Sequence, residues 1–229
     1  MRLICPSGRK KKAGTHNFPL TLVAIYQLLV KKLNGDTTMS NFYTISNTQG
    51  AIVFQGLYPS FARCVEHAAQ QGVCLRHANF RNACLSNVML DNADVRYADF
   101  RDANLTGANM SEICAYKANF SGADLYNCCF ALADLRHATF DHAQFGGTDF
   151  NGATLSYCRF AGWSFMDIDF TGAAEMKACL YNGTHHFSAP PLIIKGAGRP
   201  LLITDDKTRL HIYQLIKAPQ KTALPQKLT

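Results

Sequence analysis

Three arginines, Arg76, Arg96 and Arg136, stand at multiples of twenty residues from one another, and Tyr116 fills the step between them. The next residue along repeats in the same way, as His77, Tyr97, Lys117, His137, Tyr157 and Lys177. Arg81 and Arg101 follow Arg76 and Arg96 by five. Cations interleaved with aromatic rings can hold phosphates and stack bases, and they can equally dock an acidic protein surface. The same residues can also be soluble side chains that have collected on an outward face, with Asp94 and Asp134 near enough to neutralise them. They form a site only if the chain brings every twentieth position to the same side.

Catalytic chemistry has little support. His185-His186 and Cys128-Cys129 are adjacent pairs, and neighbours on a strand point to opposite sides. No metal-ligand spacing surrounds them, and neither a nucleophile elbow nor a P-loop occurs. The expectation is a chain that is not an enzyme, with no catalytic residue, cofactor or metal. Asn182-Gly183-Thr184 fits a glycosylation acceptor, which means nothing without a secretory route.

The element that must position the cations runs from Val73 to Leu180. Its multiples of five read Leu75, Phe80, Leu85, Leu90, Val95, Phe100, Leu105, Met110, Ala115, Phe120 and onward to Leu180, and 20 of the 22 are bulky and apolar. Two residues before most of them stands an alanine, and the residue immediately before is often Asn or Asp. A period of five fits neither the 3.6 of a helix nor the 2.0 of a long strand. Within each quintet, however, the two core residues are spaced by two, as in a short strand, and the rest suit a tight turn. Phe80, Phe100, Phe120, Phe140, Phe160 and Leu180 then give a second period of twenty. Four quintets make one circuit, so the sequence predicts a four-sided parallel coil with the phenylalanines piled along its axis.

Quintets such as Ala103-Asn104-Leu105, Ala118-Asn119-Phe120, Ala123-Asp124-Leu125 and Ala133-Asp134-Leu135 match the motif A(D/N)LXX. On these residues the chain resembles the pentapeptide repeat proteins. The resemblance implies an all-β solenoid, a right-handed quadrilateral parallel β-helix, here of about five coils and roughly 26 Å long at the strand spacing of ~4.8 Å. Fold does not fix function in such a family. The open ends of the coil are sheet edges and should be covered by other structure.

Four segments follow. Residues 1–38 carry the basic run Arg9-Lys10-Lys11-Lys12 and the apolar run Phe18 to Val30, without a small-x-small cleavage site, and read as a disordered or non-native leader, a surface helix or a targeting segment. Met39 is a sensible alternative start. Residues 39–72 predict a cap made of a β-hairpin (Phe42 to Ile45, a turn over 46–50, Ala51 to Phe54) and a helix capped by Ser60 and ended by Gly72, with Phe61, Val65 and Ala69 on one face. A hairpin and helix ahead of the repeat resemble the entry of pentapeptide repeat proteins from phages and prophages. Residues 73–180 are the repeat. Residues 181–229 are the C-terminal β cap: a loop from Tyr181 to Pro191, short strands at 192–194 and 201–204, a turn at Asp205-Asp206, the segment Arg209 to Leu215, and a frayed tail from Lys217.

Three positions break the repeat: Ala115 leaves slack unless Ile113 fills it, Trp163 must bulge or turn outward, and Glu175 either places a carboxylate inside at a cost or, on the blander reading, marks the coil loosening at its exit. Cysteines number 9 and fall at inward positions (Cys128, Cys158) and outward ones (Cys74, Cys84, Cys114, Cys129, Cys179), a scatter that suits cytosolic thiols better than a disulfide framework. No apolar run reaches the roughly 18 residues that span a membrane.

Some members of the resembled family bind DNA gyrase by imitating duplex DNA. The repeat carries 8 Lys and Arg against 12 Asp and Glu, a net charge of −4 within a chain whose formal charge is +7. A duplex segment of the same length would show about 15 negative charges, so mimicry is poor. The expectation is a non-catalytic scaffold or binding protein of a bacterial cytoplasm. It presents one face of a rigid rod to a protein partner, with DNA gyrase as a candidate and direct nucleic-acid binding left open. The alternative is a secreted effector or membrane-associated protein that uses residues 1–38.

Overall fold

A computed structural model of the chain describes residues 41–194 and 201–203. The leader at 1–38, the alternative start at Met39, the turn at Asp205-Asp206, the segment Arg209 to Leu215 and the tail from Lys217 lie outside the described residues.

The first elements are an antiparallel hairpin, β1 (Asn41–Ser46) and β2 (Ile52–Tyr58), and a helix, α1 (Phe61–Gln70). The hairpin loop is held by Asn47, whose Oδ1 accepts from the amides of Gln49 and Ala51 at 3.0 and 2.9 Å. Ser60 caps α1 by accepting from the Arg63 amide at 3.2 Å. Its C-terminus closes as a Schellman turn, with Val73 N donating to Ala68 O and Gly72 N to Ala69 O while Gly72 sits at φ 67°. Both elements lie against the first rung: Asn79 N donates to Ser46 O at 2.8 Å, and the Phe61 and Phe80 ring centroids are 6.4 Å apart.

From Val73 the quintet geometry explains the residue preferences. The alanine amide donates back to the carbonyl of the bulky residue three before it, as in Ala83 to Phe80 and Ala103 to Phe100, both at 3.1 Å. Each such bond closes a β-turn whose third residue is left-handed, for example Asn82 at φ 57° and Asn92 at φ 59°. The Asn or Asp before the bulky residue accepts the amide two residues on: Asn104 from Thr106 at 3.0 Å, Asn119 from Ser121 at 2.9 Å, Asp149 from Asn151 at 2.8 Å. That local bond is why a short carboxylate or amide recurs there.

Parallel bridges join residues twenty apart along four walls. They run Asn79–Asp99–Asn119–Thr139, Cys84–Asn104–Asp124–Gln144, Met89–Asn109–Cys129–Asp149 and Asp94–Cys114–Asp134–Thr154. Most contacts between rungs are single bridges. Pairing widens on one wall alone among the described residues, where β3 (Thr139–Asp141) pairs in parallel with β4 (Arg159–Ala161). Between the walls Phe80, Phe100, Phe120, Phe140 and Phe160 stack, with successive centroids 4.9, 4.9, 5.2 and 5.2 Å apart. All five are fully buried or nearly so, and burial stabilises each by roughly 1.5–3 kcal/mol. Ala115 and Ile113 are both fully buried, consistent with the isoleucine filling the slack.

The repeat changes register near its exit. A 3₁₀ turn spans Trp163–Asp167 with Trp163 turned outward, 64% exposed. Beyond it the bridges join residues 21 apart, Thr154 with Glu175 and Arg159 with Leu180. The amides of Ala174 and Glu175 both face Ala153 O, at 2.9 and 3.5 Å, as at a bulge. A slip of one residue exchanges inside and outside. Glu175 is therefore exposed and Met176 buried in its place, so of the two readings of Glu175 the internal carboxylate is overturned, and the residue stands where the coil departs from its regular register. The same slip buries Cys179 and Tyr181, correcting the outward placement of Cys179.

The stretch from Tyr181 to Pro191 is not simply a loop. β5 (Cys179–Tyr181) continues the wall of β4 in parallel, and β6 (His185–Phe187) folds back on it antiparallel, giving the sheet order β3-β4-β5-β6. Phe187 covers the end of the core beside Phe160, Phe165 and Phe170. The two short strands expected next are present as an antiparallel pair, β7 (Leu192–Ile194) and β8 (Leu201–Ile203).

Candidate functional site

The wall built on Leu75, Val95, Ala115, Leu135 and Leu155 carries most of the singled-out residues. Amides of one column bond carbonyls of the other across rungs: His77 to Arg96, Tyr97 to Tyr116, Lys117 to Arg136, His137 to Ser156. These bonds fix Arg76, Arg96, Tyr116 and Arg136 in one column and His77, Tyr97, Lys117, His137 and Tyr157 in the next. The second column is left-handed throughout, from His77 at φ 57° to Tyr157 at φ 64°. Lys177 does not follow Tyr157. Tyr157 N donates to Lys177 O, so the slip moves Lys177 into the arginine column after Ser156, and Ala178 takes the left-handed position at φ 50°. Arg81 and Arg101 stand on the adjoining wall.

Ring stacking follows the rung spacing. His77 stacks on Tyr97 with centroids 4.8 Å apart, and His137 on Tyr157 at 4.7 Å. Tyr116 bridges the two pairs edge-on, 5.7 Å from Tyr97 and 5.3 Å from His137. Lys117 Nζ lies 6.0 and 5.4 Å from the Tyr97 and Tyr116 centroids, and Arg136 Cζ lies 5.9 Å from that of Tyr116. Arg76, Arg96, Tyr97, Tyr116, Asp134 and Arg136 line an open groove of about 430 Å³.

Carboxylates on the same wall hold the guanidinium groups. Arg96 donates through Nε and Nη2 to Asp94 at 2.7 and 2.6 Å, and Arg76 Nε reaches the same carboxylate at 2.9 Å. Arg136 grips Asp134 through Nε and Nη2 at 2.8 and 2.7 Å. Arg101 forms the same fork on Asp99, and Arg81 sits 3.8 Å from Asp102. Proximity in sequence made Asp94 and Asp134 legible as neutralisers, and the arginine two residues after each completes the fork. Burial raises the Asp94 carboxyl above its ordinary value against the pull of Arg76, whereas hydrogen bonding from Arg101 holds Asp99 below it. Asp94, Cys114, Asp134, Thr154 and Glu175 form one bridged ladder, so Glu175 joins this wall, a placement hidden by the register change.

His185 and His186 are both exposed in β6, whereas Cys128 is buried and Cys129 half-buried. Among the described residues no group of His, Cys, Asp and Glu could hold a metal ion. No helix among them is long and apolar enough to cross a membrane.

Four bridged walls around a stacked aromatic core define a repeat protein of the β-helix class. The family profile "Pentapeptide repeats (8 copies)" matches residues 74–112, 83–122, 118–156 and 133–172. Residues 74–172 thus resemble the repeats of that family, and pentapeptide repeats imply a right-handed β-helix. Among solved structures, a pentapeptide repeat protein from Nostoc Pcc 7120 is 25% identical over 52% of this chain and 96% of its own, with a TM-score of 0.40. One from the Arabidopsis thaliana thylakoid lumen is 26% identical over 35% of this chain, at a TM-score of 0.26, and the chain spans only 60% of that protein's length. QnrB1, a plasmid-mediated fluoroquinolone resistance protein, is 18% identical over 45% of this chain and 67% of its own, at 0.20. No curated protein matches the chain.

Proposed function

We propose that the chain is a non-catalytic binding scaffold, a right-handed quadrilateral β-helix of about five coils. Segments 39–72 and 181–229 close its ends, and the Leu75 wall faces a macromolecular partner in a bacterial cytoplasm. The observation that supports this is the groove itself, in which three guanidinium groups are locked to aspartates at rung spacing beside a ladder of mutually packed rings. Side chains held by their neighbours lose little entropy on docking, so a rigid wall binds at low cost. A phage-type modulator of a host nucleic-acid enzyme such as DNA gyrase is the narrower form of the reading. The net charge of −4 on the repeat against the roughly 15 of a duplex favours contact through the cationic wall over imitation of DNA.

A photoreactive amino acid placed at Tyr116, and separately at Tyr126 two walls away, tests the assignment in cells. Adducts to one defined protein are expected from position 116 alone. Equal labelling from both positions, or none from 116, would sink the reading.

A further inference from the structure

We propose that the groove on the Leu75 wall takes an acidic protein segment, a short extended stretch bearing at least two carboxylates, in preference to nucleic acid; this rests on the reading of that wall as the partner-binding face. The rings decide between the two. A base needs an uncovered aromatic face. Within this ladder each ring already meets another ring or a cation: His77 on Tyr97, His137 on Tyr157, Tyr116 edge-on to Tyr97 and His137, and Lys117 over Tyr97 and Tyr116. From Tyr97 to His137, the stretch beside the groove, the ladder offers a partner ring edges carrying hydroxyl and imidazole groups, and among the described residues only the end rings His77 and Tyr157 have a single stacking neighbour.

The groove lining is also rich in donors and poor in free acceptors. Arg76 bonds Asp94 through Nε only, and Arg96 and Arg136 each use Nε and one terminal nitrogen. Among the described residues the remaining guanidinium N–H groups have no carboxylate partner. Asp94 is shared by two arginines, so its cluster keeps one positive charge, and Lys117 adds a second. Both aspartates are already engaged, and Glu175 and Lys177 at the exit end of the wall cancel in charge, so two positive charges remain. The complementary partner must bring acceptors, and planar carboxylates suit guanidinium edges.

Reach separates a short segment from a polyanion. Arg76 to Arg136 is three rungs, roughly 14 Å at ~4.8 Å each, which four or five extended residues at ~3.3 Å apiece would cover. A longer nucleic-acid strand that left the groove on the side away from Arg81 and Arg101 would meet the wall of Leu90 and Met110, where Asp91, Glu112, Asp149 and Asp169 stand without a lysine or arginine. A compact acidic segment avoids that repulsion.

The test uses fluorescence anisotropy of the full chain with three labelled probes: a ten-residue Glu-Gly repeat, its Lys-Gly counterpart, and a ten-nucleotide oligothymidine. The acidic peptide alone should bind, and addition of 0.3 M salt should weaken it. Arg76→Gln combined with Arg136→Gln should lower that affinity at least tenfold with the circular dichroism spectrum unchanged, and the exposed Lys117→Glu, a separate variant, should lower it several-fold. Oligothymidine binding equal to or tighter than the peptide overturns the acidic-segment assignment and leaves the wall as a binding face. Absent peptide binding, or binding indifferent to both variants, also overturns it, and labelling from position 116 then judges the broader reading on its own.

Discussion

Leu132 occupies a left-handed turn position at φ 60° with its side chain 53% exposed. For a residue with a branched side chain that conformation costs roughly 1–2 kcal/mol, and Asn tolerates it far better. The leucine remains compatible because Gly152, one rung on, leaves room: a Cβ there would come within 2.5 Å of Leu132 Cδ2. Leu132→Asn should therefore raise stability by about 1 kcal/mol, read as a higher urea midpoint with an unchanged slope; a lower midpoint would mean the packing outweighs the strain. The thiols provide a second residue-scale test. Burial pushes Cys64 and Cys179 up to about 11 and raises Cys128 and Cys158 further, while Cys74 and Cys84 are exposed. At pH 8 a thiol reagent mapped by mass spectrometry should mark Cys74 and Cys84 and spare the four buried cysteines until the chain unfolds. The folded thiols stay neutral where unfolded ones ionise. Their contribution to stability is thus intact below the ordinary value of 9.0 and lost as pH rises from there through about 11.

Among the elements, α1 supplies what the first rung lacks. Inside the repeat, Asn109 N bonds Val88 O and Cys129 N bonds Ala108 O, each using the rung before. Met89 has no such rung, and its amide donates to Glu66 Oε1 at 3.1 Å while Arg63 holds Oε2 at 2.6 Å. Glu66 is 5% exposed and its bond to the Met89 amide is part-buried, so Glu66→Ala leaves that donor without its acceptor, at a cost of about 1 kcal/mol. Glu66→Gln, which keeps an acceptor, should recover part of that loss in thermal melts, and equal loss in both would contradict the backbone-capping role. The Ser60 cap, the Gly72 stop and the phenylalanine column were all legible, because each rests on spacing and local turn chemistry. The register change was not. One extra residue after an irregular turn leaves the apolar letters looking periodic, so spacing alone places Lys177 one column away from where it stands and cannot tell on which side Glu175 falls. The exit hairpin did carry a signal: Asn182 and Gly183 are left-handed at φ 48° and 71°, and Asn-Gly between short apolar runs is a hairpin mark. The candidate wall was legible as two columns, whereas the covering of its ring faces depends on rotamers that no spacing encodes.

For the whole molecule the governing problem is the ends of the sheet walls, where unpaired amides and carbonyls invite another chain. At the exit, β6 pairs antiparallel on the last wall strand and Phe187 closes the core. At the entry, Ser46 O and Glu66 take the Asn79 and Met89 amides, Asn47 bridges Ala78, and α1 lays Val65 and Ala68 in the core. Removing everything before Val73 would uncover both those amides and the apolar end formed by Leu75, Phe80, Leu85 and Leu90. Such an edge is flat, apolar and already in strand geometry, so it should recruit the same edge of other copies before it finds water an adequate substitute. The truncated chain should appear in light scattering as concentration-dependent assemblies larger than those of the full chain. A truncated chain no larger in assembly state, with its melting midpoint unchanged, would show that the hairpin and helix are appendages and that the repeat protects its own first rung.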